Sequence, residues 1–272
     1  MNTIGVIGYG NMGSAISQRL KLKYKVLVFD KDGLKTKNKG IDIAGNCADL
    51  ARQADLLVLA IKPQDFDSVL AEIKKQAVGK LVISIAAGIS TAYIENKLGK
   101  VRVVRAMPNL PAKIGQGMIC LCKGKFASDS DLDFARNLFG NLGKTMQIEE
   151  EMMNAVTAIS GSGPGFFYYL IQNQQEDEWQ KYAQQVFMPQ LSASAEKLGF
   201  SHEQALLLAK ATTVGSVALL KQAGLSANEL CRQVASQGGT TEAGLKKIND
   251  IMSLPDATAA ALKRAEELSK KE

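Results

Sequence analysis

The chain has 272 residues, 33 Lys and Arg against 27 Asp and Glu, a formal net charge of +6 and 46% hydrophobic residues. These values are typical of a globular protein, and they exclude a disordered, collagen-like or coiled-coil chain. The positive excess is small for this length and has no interleaved aromatic residues, so no nucleic-acid binding is expected.

Two features of the sequence bear on solubility and localisation. The longest apolar runs, residues 56–61 and 81–89, are shorter than the roughly 18–20 residues of a membrane-spanning helix. The start, Met1-Asn2-Thr3, leads into a strand-like segment without a basic and then apolar leader. We therefore expect a soluble, cytoplasmic protein that binds no membrane.

The four cysteines, Cys47, Cys120, Cys122 and Cys231, show no C-x-x-C spacing. Structural zinc sites are usually built on such pairs, so no metal site is expected. Isolated cysteines in apolar surroundings behave as small hydrophobic residues, and we predict that these four are buried.

The first half of the chain alternates short β-rich runs with helical patterns, which is typical of repeated βαβ units and a parallel sheet. A helix over residues 11–22 follows the first strand, and another begins near Ser130. The pattern predicts a doubly wound α/β domain of the Rossmann type over residues 1–151. Its predicted strands are Thr3–Ile7, Lys25–Phe29 and residues 56–61, 81–85, 101–105 and 117–122.

From residue 152 onward the strand signal is weak and helical spacing dominates. The clearest case is residues 202–222, where apolar side chains recur along one helical stripe. Ser201 with Gln204 fits a capping box at the start of that helix. We predict that residues 152–272 form an all-helical domain.

The run Gly8-Tyr9-Gly10-Asn11-Met12-Gly13 matches G-x-G-x-x-G between a predicted strand and a predicted helix. In this motif the first glycine allows a tight turn, the second lets the backbone approach a pyrophosphate, and the third allows helix–strand packing. The start of the helix, at Asn11 and Met12, supplies N–H groups for phosphate oxygens. The motif predicts dinucleotide binding.

Asp30 ends the second predicted strand, about 20 residues beyond the glycines, where a carboxylate can bind the adenosine ribose of NAD. Lys31, Lys35, Lys37 and Lys39 follow it and could instead hold the 2′-phosphate of NADP, although lysines more often form a solvated face. The sequence leaves NADH and NADPH open.

The histidine content helps to distinguish between possible reactions, because many alcohol dehydrogenases use a histidine as the proton acceptor. The chain has only His202, in the first turn of a predicted helix, where a solvated residue is the usual case. Lys62 could serve as an acid in ketone reduction. An imine makes fewer demands because it is protonated near neutral pH, so imine reduction fits the composition better.

The helical half carries two clusters of small residues that each lead into a predicted helix, Ser160-Gly161-Ser162-Gly163-Pro164-Gly165 and Gln237-Gly238-Gly239-Thr240-Thr241. Such turns expose backbone N–H groups that can bind a carboxylate, and they also serve as ordinary helix caps. Together they indicate a small anionic substrate.

At this point the chain resembles the pyrroline-5-carboxylate reductase family, whose members complete proline biosynthesis. The blocks that carry the resemblance lie in the family's order and span nearly the whole chain. They are Ile61-Lys62-Pro63-Gln64, Arg105-Ala106-Met107-Pro108-Asn109 with Pro111-Ala112, residues 156–164, and Gly238-Gly239-Thr240-Thr241 with Ala243-Gly244-Leu245.

The resemblance implies reduction of Δ1-pyrroline-5-carboxylate to L-proline by NADPH or NADH. It implies that the substrate lies where the C-terminal helices of two subunits meet, in a homodimer or a higher oligomer. The coenzyme-binding residues expected from the motif and the resemblance are Gly8, Gly10, Asn11, Met12, Gly13, Asp30, Lys31, Ile61, Lys62, Pro63, Ala86, Met107, Pro108 and Asn109.

On the substrate side, the resemblance implies that Thr241 donates a hydrogen bond to the ring nitrogen, and it makes Thr241 and Ser160 the candidate catalytic residues. Ser160 also shapes the substrate floor with its neighbours, and the Gly-Gly-Thr turn offers N–H groups to the substrate carboxylate. Thr212 matches a family threonine on the interface helix. The expected substrate-binding residues are Gly163, Pro164, Thr212, Gly238, Gly239 and Thr240.

The chain departs from the family pattern at Leu110, Gly165 and Gln237, where threonine, alanine and proline are usual. Residues 172–188 also make the segment after the Ser-Gly block longer than usual. This addition is either an inserted surface turn or a change that reshapes specificity.

Two other functions stay open on the sequence. One is a related reductase of another cyclic imino acid or a β-hydroxy acid, with Lys62 as the acid. The other is a non-catalytic NAD(P)-binding protein that interacts through its helical domain. The substrate-side blocks disfavour the second, because binding alone requires only the first glycine loop.

Overall fold

The structure is a computed structural model that describes residues 3–251 and 253–270. The chain divides into two compact units. The first comprises the chain up to Met107 together with Ile119–Glu150, and the second comprises Pro108–Met118 and the chain from Glu151 onward. The ends of the two predicted domains, residues 1–2 and 271–272, lie outside the described residues.

The first unit contains an eight-stranded, mostly parallel sheet. Its strands are β1 Thr3–Ile7, β2 Lys25–Phe29, β3 Asp42–Ile43, β4 Leu56–Leu59, β5 Leu81–Ser84, β6 Arg102–Met107, β7 Gly117–Lys123 and β8 Gly143–Gln147. They lie in the order β3-β2-β1-β4-β5-β6-β7-β8. The pairings from β3 through β6 are parallel, which confirms the predicted Rossmann-type doubly wound sheet, and β7 is antiparallel to β6.

The central strands are apolar because helices cover both faces of the sheet. Every residue of β4 and β5 is buried, as expected for parallel strands covered on both faces. The helices of this unit are α1 Asn11–Leu20, α2 Cys47–Gln53, α3 Phe66–Ile73, α4 Thr91–Leu98 and α5 Asp129–Phe139.

Several predicted boundaries were wrong by one or two residues. The strand predicted over residues 56–61 ends at Leu59, and the helix predicted over residues 11–22 ends at Leu20. β3 and β8 were not predicted, because β3 has only two exposed residues and β8 lacks a buried apolar face. All four cysteines are buried and unpaired, which confirms their prediction as buried residues.

The second unit is helical, as predicted. Its longest helix has the predicted bounds, and Ser201 and Gln204 form the predicted capping box. Its helices are α6 Met153–Val156, α7 Gly163–Ile171, α8 Glu176–Tyr182, α9 Met188–Lys197, α10 His202–Gln222, α11 Ala227–Val234, α12 Thr240–Ile251 and α13 Leu254–Ser269. Across the described part of the chain, no helix combines the length and apolarity needed to cross a membrane.

The longer segment at residues 172–188 begins with a turn and continues as helix, and most of its side chains are exposed. It forms α8 and a π-helical turn over Ala183–Phe187. Trp179 is 7% exposed, and the buried Phe187 packs on Phe167 with ring centroids 5.2 Å apart. This segment therefore contributes aromatic side chains to the core of the second unit.

Candidate active site

The predicted coenzyme residues of the first unit lie at one edge of the sheet. β1, β2, β4, β5 and β6 are parallel, so their carboxyl ends meet at that edge. The strand order reverses beside β1, and ligands of such sheets bind at this switch point. The residues that follow or end these strands are Gly8, Asp30, Ile61, Lys62, Pro63, Ala86 and Met107.

Glycine is required at positions 8 and 13 because a Cβ there would clash with backbone atoms. Gly8 has φ +98°, and a Cβ there would lie 2.4 Å from the carbonyl oxygen of Ala60. A Cβ on Gly13 would lie 2.0 Å from the carbonyl oxygen of Gly8. Both glycines therefore allow the loop to pack tightly between β1, β4 and α1.

Gly10 has a different role, because a Cβ at this position would meet nothing within 4 Å. It is the N-cap residue of α1, and no side chain caps that helix. The first turn of a helix carries backbone N–H groups without helical partners, and the space beside Gly10 is open to a ligand. This arrangement fits a pyrophosphate, whose negative charge is stabilised at a helix N-terminus.

Asp30 is held rigidly beside this loop. Its Oδ2 accepts a 2.6 Å hydrogen bond from the Tyr9 N–H, and its Oδ1 accepts a 2.9 Å bond from the Asp32 N–H. Burial alone would raise the pKa of Asp30, but these two N–H groups and Lys35 outweigh it and lower the pKa below its ordinary value. Asp30 is thus an ionised acceptor, which suits a ribose diol.

Two of the lysines considered for a 2′-phosphate are paired with carboxylates. Lys31 Nζ lies 2.8 Å from Asp65 Oδ1, and Lys35 Nζ lies 3.5 Å from Asp30 Oδ1. Their charge is therefore partly compensated within the chain. A 2′-phosphate would have to draw them away from these partners.

The remaining coenzyme residues of the first unit surround the same edge. Ile61 is half-buried against the core, Lys62 is exposed, and Pro63 opens a short 3-10 turn over Pro63–Asp65. Ala86 follows β5 and is buried. Ile61, Pro63 and Ala86 therefore add apolar side chains to an edge whose charged residues include Asp30 and Lys62.

Asn109 and its neighbour Pro108, predicted to border the nicotinamide, belong to the second unit. Asn109 Nδ2 donates a 3.3 Å hydrogen bond to Ser160 Oγ, and its Oδ1 accepts a 2.9 Å bond from the Met118 N–H. Thr212 Oγ1 also donates to Ser160 Oγ, at 3.3 Å. The structure therefore brings three predicted site residues into one buried polar cluster.

A break in helix geometry positions the serines of the first small-residue cluster. Thr157–Gly161 is a π-helical turn in which the Ser162 N–H donates to the Thr157 carbonyl at 2.9 Å. Pro164 lacks an N–H group, so it cannot continue the α-helical bonding to the Ser160 carbonyl. Single π-turns of this kind occur frequently at functional sites.

The second cluster meets the first through three hydroxyl groups. Thr240 and Thr241 are the first residues of α12. Thr241 Oγ1 donates to Ser162 Oγ at 3.1 Å, and Ser162 Oγ lies 3.0 Å from Thr240 Oγ1. The Thr241 proton, predicted to go to a substrate nitrogen, thus has a partner within the chain. Sequence reasoning missed Ser162, whose only signal was its place in the Ser-Gly block.

Glycines allow these side chains to approach one another. A Cβ on Gly163 would lie 2.9 Å from Thr212 Cγ2, and a Cβ on Gly165 would lie 2.5 Å from Thr241 Cγ2. The departure from the family pattern at Gly165 therefore lets the Thr241 methyl pack directly on α7.

The glycine turn before α12 already holds a carboxylate. The Gly238 N–H donates to Glu242 Oε2 at 2.6 Å, and the Gly239 N–H donates to the Ser236 carbonyl at 3.0 Å. Two of the three N–H groups predicted for the substrate carboxylate, those of Gly238 and Gly239, are therefore engaged within the chain. Glu242 shows that this turn accepts a carboxylate, and its side chain must move before Gly238 can bind another.

His202 takes no part in either cluster. Its ring is exposed on the first turn of α10, where Nδ1 lies 2.5 Å from Glu196 Oε1. This position agrees with the solvated first-turn residue expected from the sequence.

Comparisons with known proteins match both units. Residues 3–88 match the family described as "NADP oxidoreductase coenzyme F420-dependent", and residues 184–272 match the family described as "Pyrroline-5-carboxylate reductase dimerisation". The pyrroline-5-carboxylate reductase of Methanosarcina acetivorans is 32% identical over 98% of both chains. That of Aquifex aeolicus is 33% identical over 91% of this chain and 89% of its own.

A solved structure agrees over the same length. Plasmodium falciparum pyrroline carboxylate reductase, with NADP bound, has a TM-score of 0.65 and 27% identity, and the match covers 98% of each chain. Sequence relatives at this level and coverage share one family. The chain therefore belongs to the pyrroline-5-carboxylate reductase family.

Proposed function

We propose that the chain reduces Δ1-pyrroline-5-carboxylate to L-proline with NADPH or NADH, the last step of proline biosynthesis. The observation that carries this proposal is its near full-length similarity to pyrroline-5-carboxylate reductases. The structure supports it with a dinucleotide-type edge in the first unit and a buried hydroxyl cluster in the second.

The coenzyme is held by the first unit. The N–H groups of the first turn of α1 bind the pyrophosphate beside Gly10, and Asp30 accepts hydrogen bonds from the adenosine ribose. Ala86 and Met107 border the nicotinamide. When bound, the reduced nicotinamide supplies the hydride that turns C=N into CH–NH.

The substrate is held by the second unit. Gly238, Gly239 and Thr240 offer backbone N–H groups to its carboxylate. Glu242 must first release the Gly238 N–H, and the Ser236 carbonyl must release that of Gly239. The buried cluster around Ser160 and Thr212, with Gly163 and Pro164, forms the floor beneath the ring. The Thr241 hydroxyl hydrogen-bonds to the ring nitrogen.

This chemistry explains why a site without histidine is sufficient. A protonated imine is already electrophilic, and the electron pair of its C=N bond moves onto nitrogen when carbon is reduced. No side chain has to deliver a proton at that moment. His202, exposed beside Glu196, is not needed.

Coenzyme consumption tests the proposal. Purified protein with NADPH or NADH should oxidise the coenzyme, and form proline, when pyrroline-5-carboxylate is added. Coenzyme binding without turnover would favour a non-catalytic binding protein. Turnover only with another cyclic imino acid or a β-hydroxy acid would favour the related reductase.

We place this enzyme in the cytoplasm as a homodimer that associates through its C-terminal helices. Leu206 and Val214 on α10 are 48% and 52% exposed, so this helix presents apolar side chains that a partner can cover. Light scattering should give twice the chain mass of 29.2 kDa, or a higher even multiple. Val214→Asp should shift the protein toward monomer, and a wild-type monomer would contradict the proposal.

Coenzyme preference is expected to depend on Asp30. Asp30→Ser should raise NADPH affinity relative to NADH about tenfold, because it removes a buried negative charge that repels a 2′-phosphate and a partner of the ribose diol. Fluorescence titration of both coenzymes measures the ratio of dissociation constants.

Asp55→Ser is the matched control for this prediction. Its carboxylate also accepts a backbone N–H, that of Thr3, but at the start of β1 and therefore at the opposite edge of the sheet. The control should leave the NADPH/NADH ratio unchanged. An unchanged ratio in Asp30→Ser itself would show that Asp30 does not contact the ribose.

A further inference from the structure

Three hydroxyl groups in the second unit are linked in a row by two hydrogen bonds. We call Ser162, Thr240 and Thr241 the hydroxyl triad. All three residues are buried, and Ser162 is 0% exposed. Ser162 Oγ stands in the middle, 3.1 Å from Thr241 Oγ1 and 3.0 Å from Thr240 Oγ1.

The direction of the hydrogen bonds follows from the number of protons. A hydroxyl group has one proton to donate and two lone pairs to accept with. Thr241 donates its proton to Ser162. Ser162 then needs an acceptor for its own proton, since buried polar groups are almost always paired, and Thr240 Oγ1 is at the right distance. The protons therefore run from Thr241 through Ser162 to Thr240.

The Thr241 side chain is also fixed sterically. A Cβ on Gly165 would lie only 2.5 Å from Thr241 Cγ2, which shows how closely this methyl packs on α7. With Cγ2 on α7 and the proton directed to Ser162, the lone pairs of Oγ1 are what remains for any other partner. Toward a ligand, Thr241 is an acceptor and not a donor.

We propose that Ser162 is a positioning residue that makes Thr241 Oγ1 an acceptor for the protonated ring nitrogen of the substrate, so that the enzyme selects the iminium form. This inference rests on the proposed function. The ring nitrogen brings its own proton and donates it as a hydrogen bond to Thr241. When hydride adds to the ring carbon, the C=N electron pair becomes the lone pair of a neutral secondary amine, which then takes a proton from water.

The pH profile of Ser162→Ala tests the proposal. Above the pKa of the imine, the wild-type kcat/KM should fall with the iminium fraction. In Ser162→Ala the Thr241 proton is released and can be donated to the neutral imine. The ratio of wild-type to variant kcat/KM should therefore be about 10 at pH 6 and fall to about 1 at pH 9.

Ser194→Ala is the matched control for loss of a buried serine. Ser194 is also in the second unit and 1% exposed, but its Oγ donates to the Gln190 carbonyl within its own helix. Its kcat/KM should follow the wild-type profile at every pH.

A second pair of variants keeps the test valid if Ser162→Ala does not fold. Thr240→Val removes the acceptor of the Ser162 proton while keeping the backbone N–H of residue 240. Ser162 can then donate its proton to Thr241, which leaves the Thr241 proton available to the substrate. The kcat/KM of this variant should therefore depend on pH in the same way as that of Ser162→Ala. Thr240→Ser keeps the hydroxyl and should restore the wild-type profile.

The outcomes separate the two proposals. If kcat/KM of the variants depends on pH as in the wild type, whatever its absolute value, the proposed role of Ser162 is wrong. That result would not contradict the reductase function. A wild-type chain that does not turn over pyrroline-5-carboxylate would overturn both.

Discussion

Replacing Gly10 by valine is expected to abolish coenzyme binding while leaving the fold intact. Gly10 has φ −76°, which any L-residue can adopt, and its Cβ direction is open within 4 Å. The Cβ of a valine therefore has room, and its side chain fills the space that a pyrophosphate needs at the start of α1. We expect the NADH and NADPH dissociation constants to rise at least about 100-fold, which is roughly 2.7 kcal/mol. Titration and thermal unfolding measure the two effects.

Two other glycine variants calibrate this result. Gly10→Ala should weaken binding less than valine, because its side chain is smaller. Gly13→Ala should lower the unfolding temperature instead, since its Cβ would lie 2.0 Å from the Gly8 carbonyl oxygen. Normal coenzyme affinity in Gly10→Val would show that the pyrophosphate does not bind at this turn.

Thr241→Ala is expected to lower kcat about 10- to 100-fold, with little change in coenzyme affinity. The hydroxyl is buried in the hydroxyl triad, on the unit proposed to hold the substrate. Loss of a hydrogen bond to the reacting nitrogen costs about 1–3 kcal/mol, and it affects the reaction rather than coenzyme binding. Steady-state kinetics and coenzyme titration distinguish the two.

The control for Thr241 is another buried threonine of the same unit. Thr258 is 1% exposed, and its Oγ1 donates to the Pro255 carbonyl at 2.8 Å. Thr258→Ala should leave kcat unchanged, and Thr241→Ser, which retains the hydroxyl, should recover most of the activity. An unchanged kcat in Thr241→Ala would remove this residue from the mechanism.

The sequence predicted strands and helices well where the residues of one short segment contain the whole pattern. The strands β1 and β2 and the helix α10 have their predicted bounds, because apolar runs, glycine turns and a capping box are read within a few residues. β3 and β8 were missed because they form by pairing at or near the edges of an existing sheet. Their own residues carry little periodic signal.

The coenzyme side and the substrate side of the candidate site also differ in how far the sequence predicts them. The coenzyme edge could be predicted, because the glycine motif and Asp30 occupy fixed places in a βαβ unit. The substrate side was only outlined: the sequence indicated two small-residue clusters but not that Ser162 joins them. The prediction that Asn109 binds the coenzyme stays untested, and the sequence did not indicate that its amide donates to Ser160 in the second unit.

By itself the sequence determined the alternation of strands and helices in the first unit, the helical character of the second, the glycine loop and the family. Each rests on residues that are close together in the chain. Only the tertiary structure decided that β7 runs antiparallel, that Trp179 and Phe187 pack into the helical core, and that Thr241 Oγ1 lies beside Ser162 Oγ. The physical reason is that hydrogen bonds between side chains 78 and 79 residues apart depend on how helices pack, and a linear pattern does not encode that distance.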